Sequence, residues 1–425
     1  MPATHMTTGE IPGSYRRLAS AIGADHWQRA VARQEAAIRA NRFLGDYLRA
    51  EYAIAYQLDR LRRLVERFGT VPPEVCNDPS IAPAMRFAAQ ALEVMARGTT
   101  KQARAFGGRV KTAITDAANM HGLRLELLAA THFTRRGHRV SWPKTNKEGT
   151  FDLLVEDLGP SGLEVECKAV SENKGRRIHR RAALEFWGSL WTDVEGVARN
   201  LRSGLAVVVT VPYRLPDDAS QRASLARQVV AKVLAGSGAS VGGGVDIRIG
   251  TFDPARINAA MRSGSAEFQV AVGEATGTIN REAVVYGTPA GGLLIFVMQS
   301  AISDDVLEQV FATLADSASR QFTGTRGGMF WVGLQGIDAD ELLSLHEQDS
   351  DSTQEPTALR SGVSRFLSVD APSHVVGVVF ASRSGLLPTV NGGTDSGGTT
   401  NYFMKEESPQ WHPSFRGPFA TRANR

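Results

Sequence analysis

Asp152, Glu164, Glu166 and Lys168 lie within one short run, FDLLVEDLGPSGLEVECKAV (151–170), patterned as two apolar strands. Charges lose free energy when they leave water, so in such a segment they belong either on a wet face or at a site that uses them. Carboxylate oxygens with room for water suit Mg²⁺ or Mn²⁺, which polarises a phosphoryl oxygen and acidifies bound water. A lysine two residues along the strand from a carboxylate adds a positive charge where a phosphorane would develop.

Such chemistry needs elements that hold these groups together. Gly159, Pro160, Ser161 and Gly162 are turn residues, so the spacing predicts an antiparallel hairpin over 150–158 and 162–170. Alternation puts Glu164, Glu166 and Lys168 on one face and Val165 and Cys167 on the other. A turn centred near Pro160 sets Asp152 opposite Lys168 and Leu154 opposite Glu166, with Asp152 diagonal to Glu166. Upstream, HGLRLELLAATHF reads as a helix whose Leu123, Leu127 and Ala130 form an apolar face that Glu126 shares. A carboxylate on a packing face needs a partner, and a metal ion shared with neighbouring acids provides one.

Glu126 on a helix, Asp152 on a strand and Glu166-Cys167-Lys168 on the next strand resemble the PD-(D/E)XK nuclease superfamily, whose core runs helix, three strands, helix, strand. The resemblance covers about 116–212, with Phe151 where the name-giving proline would stand. It implies an α/β fold of the restriction-endonuclease-like kind, a mixed sheet flanked by helices. It also implies that Asp152 and Glu166 bind Mg²⁺ (or Mn²⁺), that the Cys167 carbonyl adds a ligand, and that Lys168 orients or activates the attacking water. Glu126 would assist that metal or a second one. The activity implied is metal-dependent phosphodiester hydrolysis, in DNA by the superfamily's habit, and a complete Glu126, Asp152, Glu166, Lys168 set favours turnover. The rivals are a catalytically silent nuclease-fold protein acting as a nucleic-acid-binding or scaffold module, and a metal hydrolase with another substrate.

After the hairpin comes KGRRIHRRAALEFWGSLW, whose Arg176, Arg177, Arg180 and Arg181 are expected to contact phosphate, although cations at a helix start oppose its dipole. Trp187 and Trp191, four apart, read as core. A second Glu-x-Lys triplet, Glu172-Asn173-Lys174, has no strand pattern and is read as a decoy. Glu164 shares the face of Glu166 and ranks behind it as a ligand. Gln321 and Arg326, near a helix end before a strand, read as capping or packing residues, although a helix-borne glutamine sits near the metal site in some members of the superfamily. His121, His132, His138 and His179 lack zinc-site spacing.

At 425 residues, 42% hydrophobic and 22% charged, the chain has the composition of a globular protein of two or three domains. A net charge of +4, with Arg favoured over Lys, leans weakly towards an anionic partner. Only Cys76 and Cys167 are present, which excludes a disulfide framework and fits a reducing, cytoplasmic setting. MPATHMTTGEIPGSYRR carries no signal-peptide pattern, and runs such as LLIFVM are too short for a membrane span. Helical spacing fills about 15–109, and strands are expected at 204–212, 245–252, 293–299, 328–336 and 374–382, with helices near 181–200, 218–235 and 303–322. EQDSDSTQEP (347–356) and NGGTDSGG (391–398) read as loops. The domains expected are a helical module over 1–112, able to recruit a protein partner, a nuclease-like α/β domain over 113–340, and an extension over 341–425.

Overall fold

Residues 7–76, 78–143, 151–236, 238–263, 265–278, 281–382, 385–388, 394–397 and 399–419 are described by the structure, a computed structural model. The fold is mixed α/β with a helical N-terminal region. Its helices are α1 (Ile11–Ile22), α2 (Asp25–Ala40), α3 (Gly45–Glu51), α4 (Ala53–Phe68), α5 (Pro73–Cys76), α6 (Ala82–Arg97), α7 (Thr100–Thr115) and α8 (Ala117–Arg135). Local chemistry sets the last two boundaries. Thr99 and Gln102 form a reciprocal capping box at the start of α7, and Asp116 both ends α7 and caps α8 by accepting the Asn119 N–H at 2.8 Å.

The strands are β1 (Val140–Ser141), β2 (Leu153–Val155), β3 (Leu163–Val170), β4 (Gly204–Val211), β5 (Ala239–Val241), β6 (Val245–Phe252), β7 (Glu282–Gly287), β8 (Leu293–Ser300), β9 (Gly327–Leu334), β10 (Val375–Ala381), β11 (Gly385–Pro388), β12 (Thr394–Gly397) and β13 (Thr400–Met404). The later helices are α9 (Arg180–Asn200), α10 (Ala219–Ala235), α11 (Pro254–Ser263), α12 (Ser265–Thr276), α13 (Val306–Gln321), α14 (Ala339–Ser350) and α15 (Ala358–Arg365). Among the described residues no helix is long and apolar enough to cross a membrane.

The chain forms two compact units, one of 1–33, 51–174 and 307–425 and another of 34–50 and 175–306. The boundaries expected at 112/113 and 340/341 do not follow this division. In the first unit the sheet runs β1-β2-β3-β9-β10-β13, antiparallel through β3, parallel from β3 to β9 to β10, and antiparallel again at β13. The 341–425 segment is therefore no appendage, since β10 and β13 complete this sheet. One sheet face packs Val165, Cys167, Met329 and Trp331 against Leu125, Ala129 and Phe133 of α8. The other packs Phe330 and Val332 against Phe311, Leu314 and Ala318 of α13. Helix α8 also gives Leu123 and Leu127 to the core of the N-terminal helices, so it is buried on two sides.

In the second unit the sheet runs β5-β6-β4-β8-β7, with β4 and β8 parallel. Val207 and Val209 face α9 and α10, while Ala206 and Val208 face α11 and α12. The strand at 204–211, which the superfamily's order would place beside β3, thus belongs to the other sheet. The strand parallel to β3 is β9, reached through α13. Trp187 and Trp191 are core, as expected, Trp187 stacking on Phe296 at 4.7 Å. Residues 347–350 of the first expected loop are the end of α14, and of the second, Thr394–Gly397 form β12. Positions 391–393 and 398 of that loop, 150 of the expected hairpin, and 1–6 of the N-terminus lie outside the described residues.

Candidate active site

The β2–β3 hairpin forms, but two residues out of the expected register. Leu154 pairs with Glu164 rather than Glu166, and the Asp152 N–H donates to the Val165 carbonyl at 3.2 Å. The centre of the turn moves from Pro160 to Gly159, where φ is +78°, while Gly162 adopts +85°. Leu158 enters the core and anchors this longer connection. An even shift preserves side-chain faces. It brings Asp152 level with Glu166 instead of Lys168.

Asp152 stands just before β2, and its Oδ2 accepts the Cys167 N–H at 2.9 Å. Glu166, 3% exposed, places Oε1 2.7 Å from the Lys168 ammonium. Lys168 also donates to Gln321 Oε1 at 2.9 Å, so the α13 glutamine read as a cap or packing residue instead holds the lysine. Glu166 and Lys168 pair in register with Phe330 and Val332, on the α13 side of the sheet.

Glu126 approaches from α8. It is buried, with Oε1 2.5 Å from the Arg109 guanidinium of α7. Arg109 carried no sequence signal beyond its helical position. Glu164, by contrast, accepts from the Thr323 N–H at 2.9 Å and from the Thr323 hydroxyl, with Arg326 at 3.6 Å. Its carboxylate holds the turn after α13, which explains why it is buried and sets it apart from the other acids.

The remaining acids are electrostatically unfinished. Burial, then the charge of Asp152, pushes the Glu166 carboxyl up to about 8 against the pull of Lys168. The same two causes raise Glu126 to about 7 against Arg109. Burial also raises Asp152, opposed by the Cys167 N–H and by the charges of Arg109 and Lys168. Burial raises the Cys167 thiol well above its ordinary value, which leaves it inert. Near neutral pH the cluster therefore retains protons that a divalent cation would displace.

Glu126 Oε2 and Glu166 Oε2 are both buried without a hydrogen-bond partner. Carboxylate oxygens are hard donors of the kind Mg²⁺ or Mn²⁺ takes. Among the described residues no three His, Cys, Asp or Glu side chains are grouped as a ready metal cluster.

The arginines at 176–181 belong to the second unit. Arg176 lies 3.6 Å from Asp304, and Arg177 contacts Asp304, Asp305, the Ser303 carbonyl and the Tyr213 hydroxyl. Arg181 pairs with Glu185 one helical turn on, at 2.8 Å. Lys174 follows β3 in a turn, off any strand. His132 is enclosed by Phe133, Trp331 and Phe419, and burial drives its pKa down to about 3, so it is a core histidine.

No protein-family model matches the chain, and no match is found among curated proteins or solved structures.

Proposed function

We propose that this protein is a metal-dependent nuclease of the PD-(D/E)XK type that hydrolyses phosphodiester bonds in DNA. The observation that carries the reading is the meeting of Asp152, Glu166 and Lys168 at one place on two adjacent strands, with the Cys167 amide fixing Asp152. The order α8, β1, β2, β3, α13, β9, with β3 parallel to β9, supports a restriction-endonuclease-like core. In that reading 175–306 interrupts the core between its third strand and second helix.

Asp152 and Glu166 would hold Mg²⁺ or Mn²⁺, with the Cys167 carbonyl as a further oxygen donor and Glu126 in support. The ion would supply Lewis acidity and a more acidic bound water. The chain's own contribution is positional. Lys168, held by Gln321 from the side, keeps an ammonium ready for charge developing on the phosphate. Burial of the carboxylates lowers the local dielectric and strengthens each electrostatic contact.

One observation favours a second reading, a silent nuclease-fold protein that binds nucleic acid without cleaving it. Lys168 is already satisfied by Glu166 and Gln321. Incubation with plasmid DNA in Mg²⁺ or Mn²⁺ separates the two. Cleavage by the wild type that Lys168→Met lacks supports the nuclease; an intact plasmid at every metal tested, with binding retained, supports the silent module.

A further inference from the structure

Arg109 has a geometry that neutralising Glu126 does not explain. Its guanidinium gives Nη2 to Glu126 Oε1 at 2.5 Å, but its side chain is 46% exposed whereas that of Glu126 is 7% exposed. A guanidinium carries five N–H donors in a rigid fork. One end is thus fixed on a buried carboxylate while the rest of the fork faces solvent. Phe106, one turn earlier on α7, lies under the guanidinium at 5.9 Å and limits where it can swing. Arg109 and Lys168 also both act electrostatically on Asp152, the acid at the middle of the cluster.

We propose that Arg109 is an anion-binding residue of this site, a second cationic contact for the phosphodiester, with Glu126 as the buried group that positions it. This rests on the nuclease reading and extends it to substrate capture. Lys168 has two of its three N–H donors on Glu166 and Gln321, whereas Arg109 uses one N–H on Glu126 and presents the rest of its fork to solvent for a phosphate oxygen. Arginine suits that task, since its fork addresses two oxygens at once and remains charged at any working pH. An ion taken up by the carboxylates would cancel their negative charge beside Arg109 and favour an arriving phosphate, so metal and DNA should each tighten the binding of the other by the same factor.

The competing explanation is that Arg109 serves only to pair with Glu126, and a double-variant comparison separates the two. Glu126→Gln removes the buried charge and leaves Arg109 in place; Glu126→Gln with Arg109→Gln removes both charges and keeps an amide pair. The readouts are thermal stability and the affinity for a fluorescein-labelled DNA duplex in Ca²⁺, over a range of salt concentrations. A phosphate-binding Arg109 predicts that the double variant is as stable as Glu126→Gln but binds the duplex at least tenfold more weakly, with a salt slope lower by about one. Equal affinity and equal slope in the two variants overturn the proposal, as does failure of the wild type to bind the duplex. Cleavage is measured separately, so a wild type that binds through Arg109 without cleaving defeats the nuclease reading alone.

Discussion

The two large sheets among the described residues each contain a parallel pair of eight-residue strands, and the pairs differ in what they bury. In the second unit β4 and β8 read GLAVVVTV and LLIFVMQS, and packing on both faces accounts for their buried side chains. In the first unit β9 is equally apolar, but β3 reads LEVECKAV and buries Glu164 and Glu166 at 0% and 3% exposure. A buried strand beside a parallel neighbour therefore does not require charge in this chain. Where charge appears, each group needs compensation, and the two glutamates differ in how fully they receive it. Glu164 has Thr323 and Arg326 around both oxygens, while Glu166 has Lys168 on one oxygen and, besides that, only the like-charged Asp152 as a neighbour. The first is a finished structural contact, and the second is a group left open for something else.

The sharpest way to break that contrast is through Lys168 and Glu164. Lys168→Met is expected to lower single-turnover cleavage by about 10²–10³-fold at saturating DNA and metal, the usual loss for a preorganised charge donor. Lys174→Met should leave that step unchanged, and the reverse pattern would move the site off β3. Glu164→Ala is expected to cost about 3 kcal/mol of stability, because it leaves Arg326 and the Thr323 amide without their buried partner. On β4, Val207→Ala should cost about 2 kcal/mol through lost packing and leave cleavage intact. Denaturant melts of the three variants test the ranking, and a stable Glu164→Ala protein would remove the distinction between the two glutamates.

The open carboxylates also give a pH signature with a definite sign. Glu126 and Glu166 hold their protons up to about 7 and about 8 in the folded protein, above the ordinary carboxylate value of 4.5. As pH rises the unfolded chain gives up these protons first, so the folded state is the one that binds more of them. Their contribution to stability is complete below the unfolded value and is lost as pH climbs through the folded values. Metal-free protein should therefore melt at a lower temperature near pH 9 than near pH 6, by a margin of about 1–3 kcal/mol across the window. Glu166→Gln should flatten the decline, and Mg²⁺ should restore the melting temperature most at the alkaline end. A melting temperature that does not fall between pH 6 and pH 9 in chelator would show that these acids are ionised throughout.

Much of this arrangement is legible in the sequence, and the parts that are not have physical reasons. The strands at 245–252 and 293–299 announce themselves because a continuous apolar or β-branched run has few alternatives. The site acids on β3 stand out because charges interrupt such a run. The hairpin register is harder to read, since Gly159, Pro160, Ser161 and Gly162 allow several turns and the burial of Leu158 decides among them. The crossover partner of β3 is hidden for a different reason. Residues 180–211 supply a helix and a strand in the expected order, so nothing local reveals that they pair elsewhere and that α13 and β9 return more than a hundred residues later. Arg109 is likewise invisible, because it meets the site only through tertiary packing, whereas Gln321 is noticeable at its helix end but its contact with Lys168 depends on the same packing.

The smallest expected effect concerns the arginines at 176–181, where composition suggests a phosphate-binding cluster and contacts divide it. Arg177 is 16% exposed on its side chain and donates to Ser303, Tyr213 and Asp305, so it behaves as a tie within the second unit. Arg177→Ala should lower stability by about 1 kcal/mol without altering the salt slope of DNA binding, because a charge already paired releases no counterion when DNA arrives. Arg181 is 55% exposed, and its pairing with Glu185 is of the surface i,i+4 kind, worth about 0.3–0.5 kcal/mol. A phosphate can outcompete that pairing, so Arg180→Ala combined with Arg181→Ala should reduce the slope by about one to two if α9 touches DNA. Fluorescence anisotropy across a salt series distinguishes the variants. An equal fall in slope for Arg177→Ala would mean that its acidic partners let go on binding, and the contrast between the half-buried Arg177 and the exposed Arg181 would disappear.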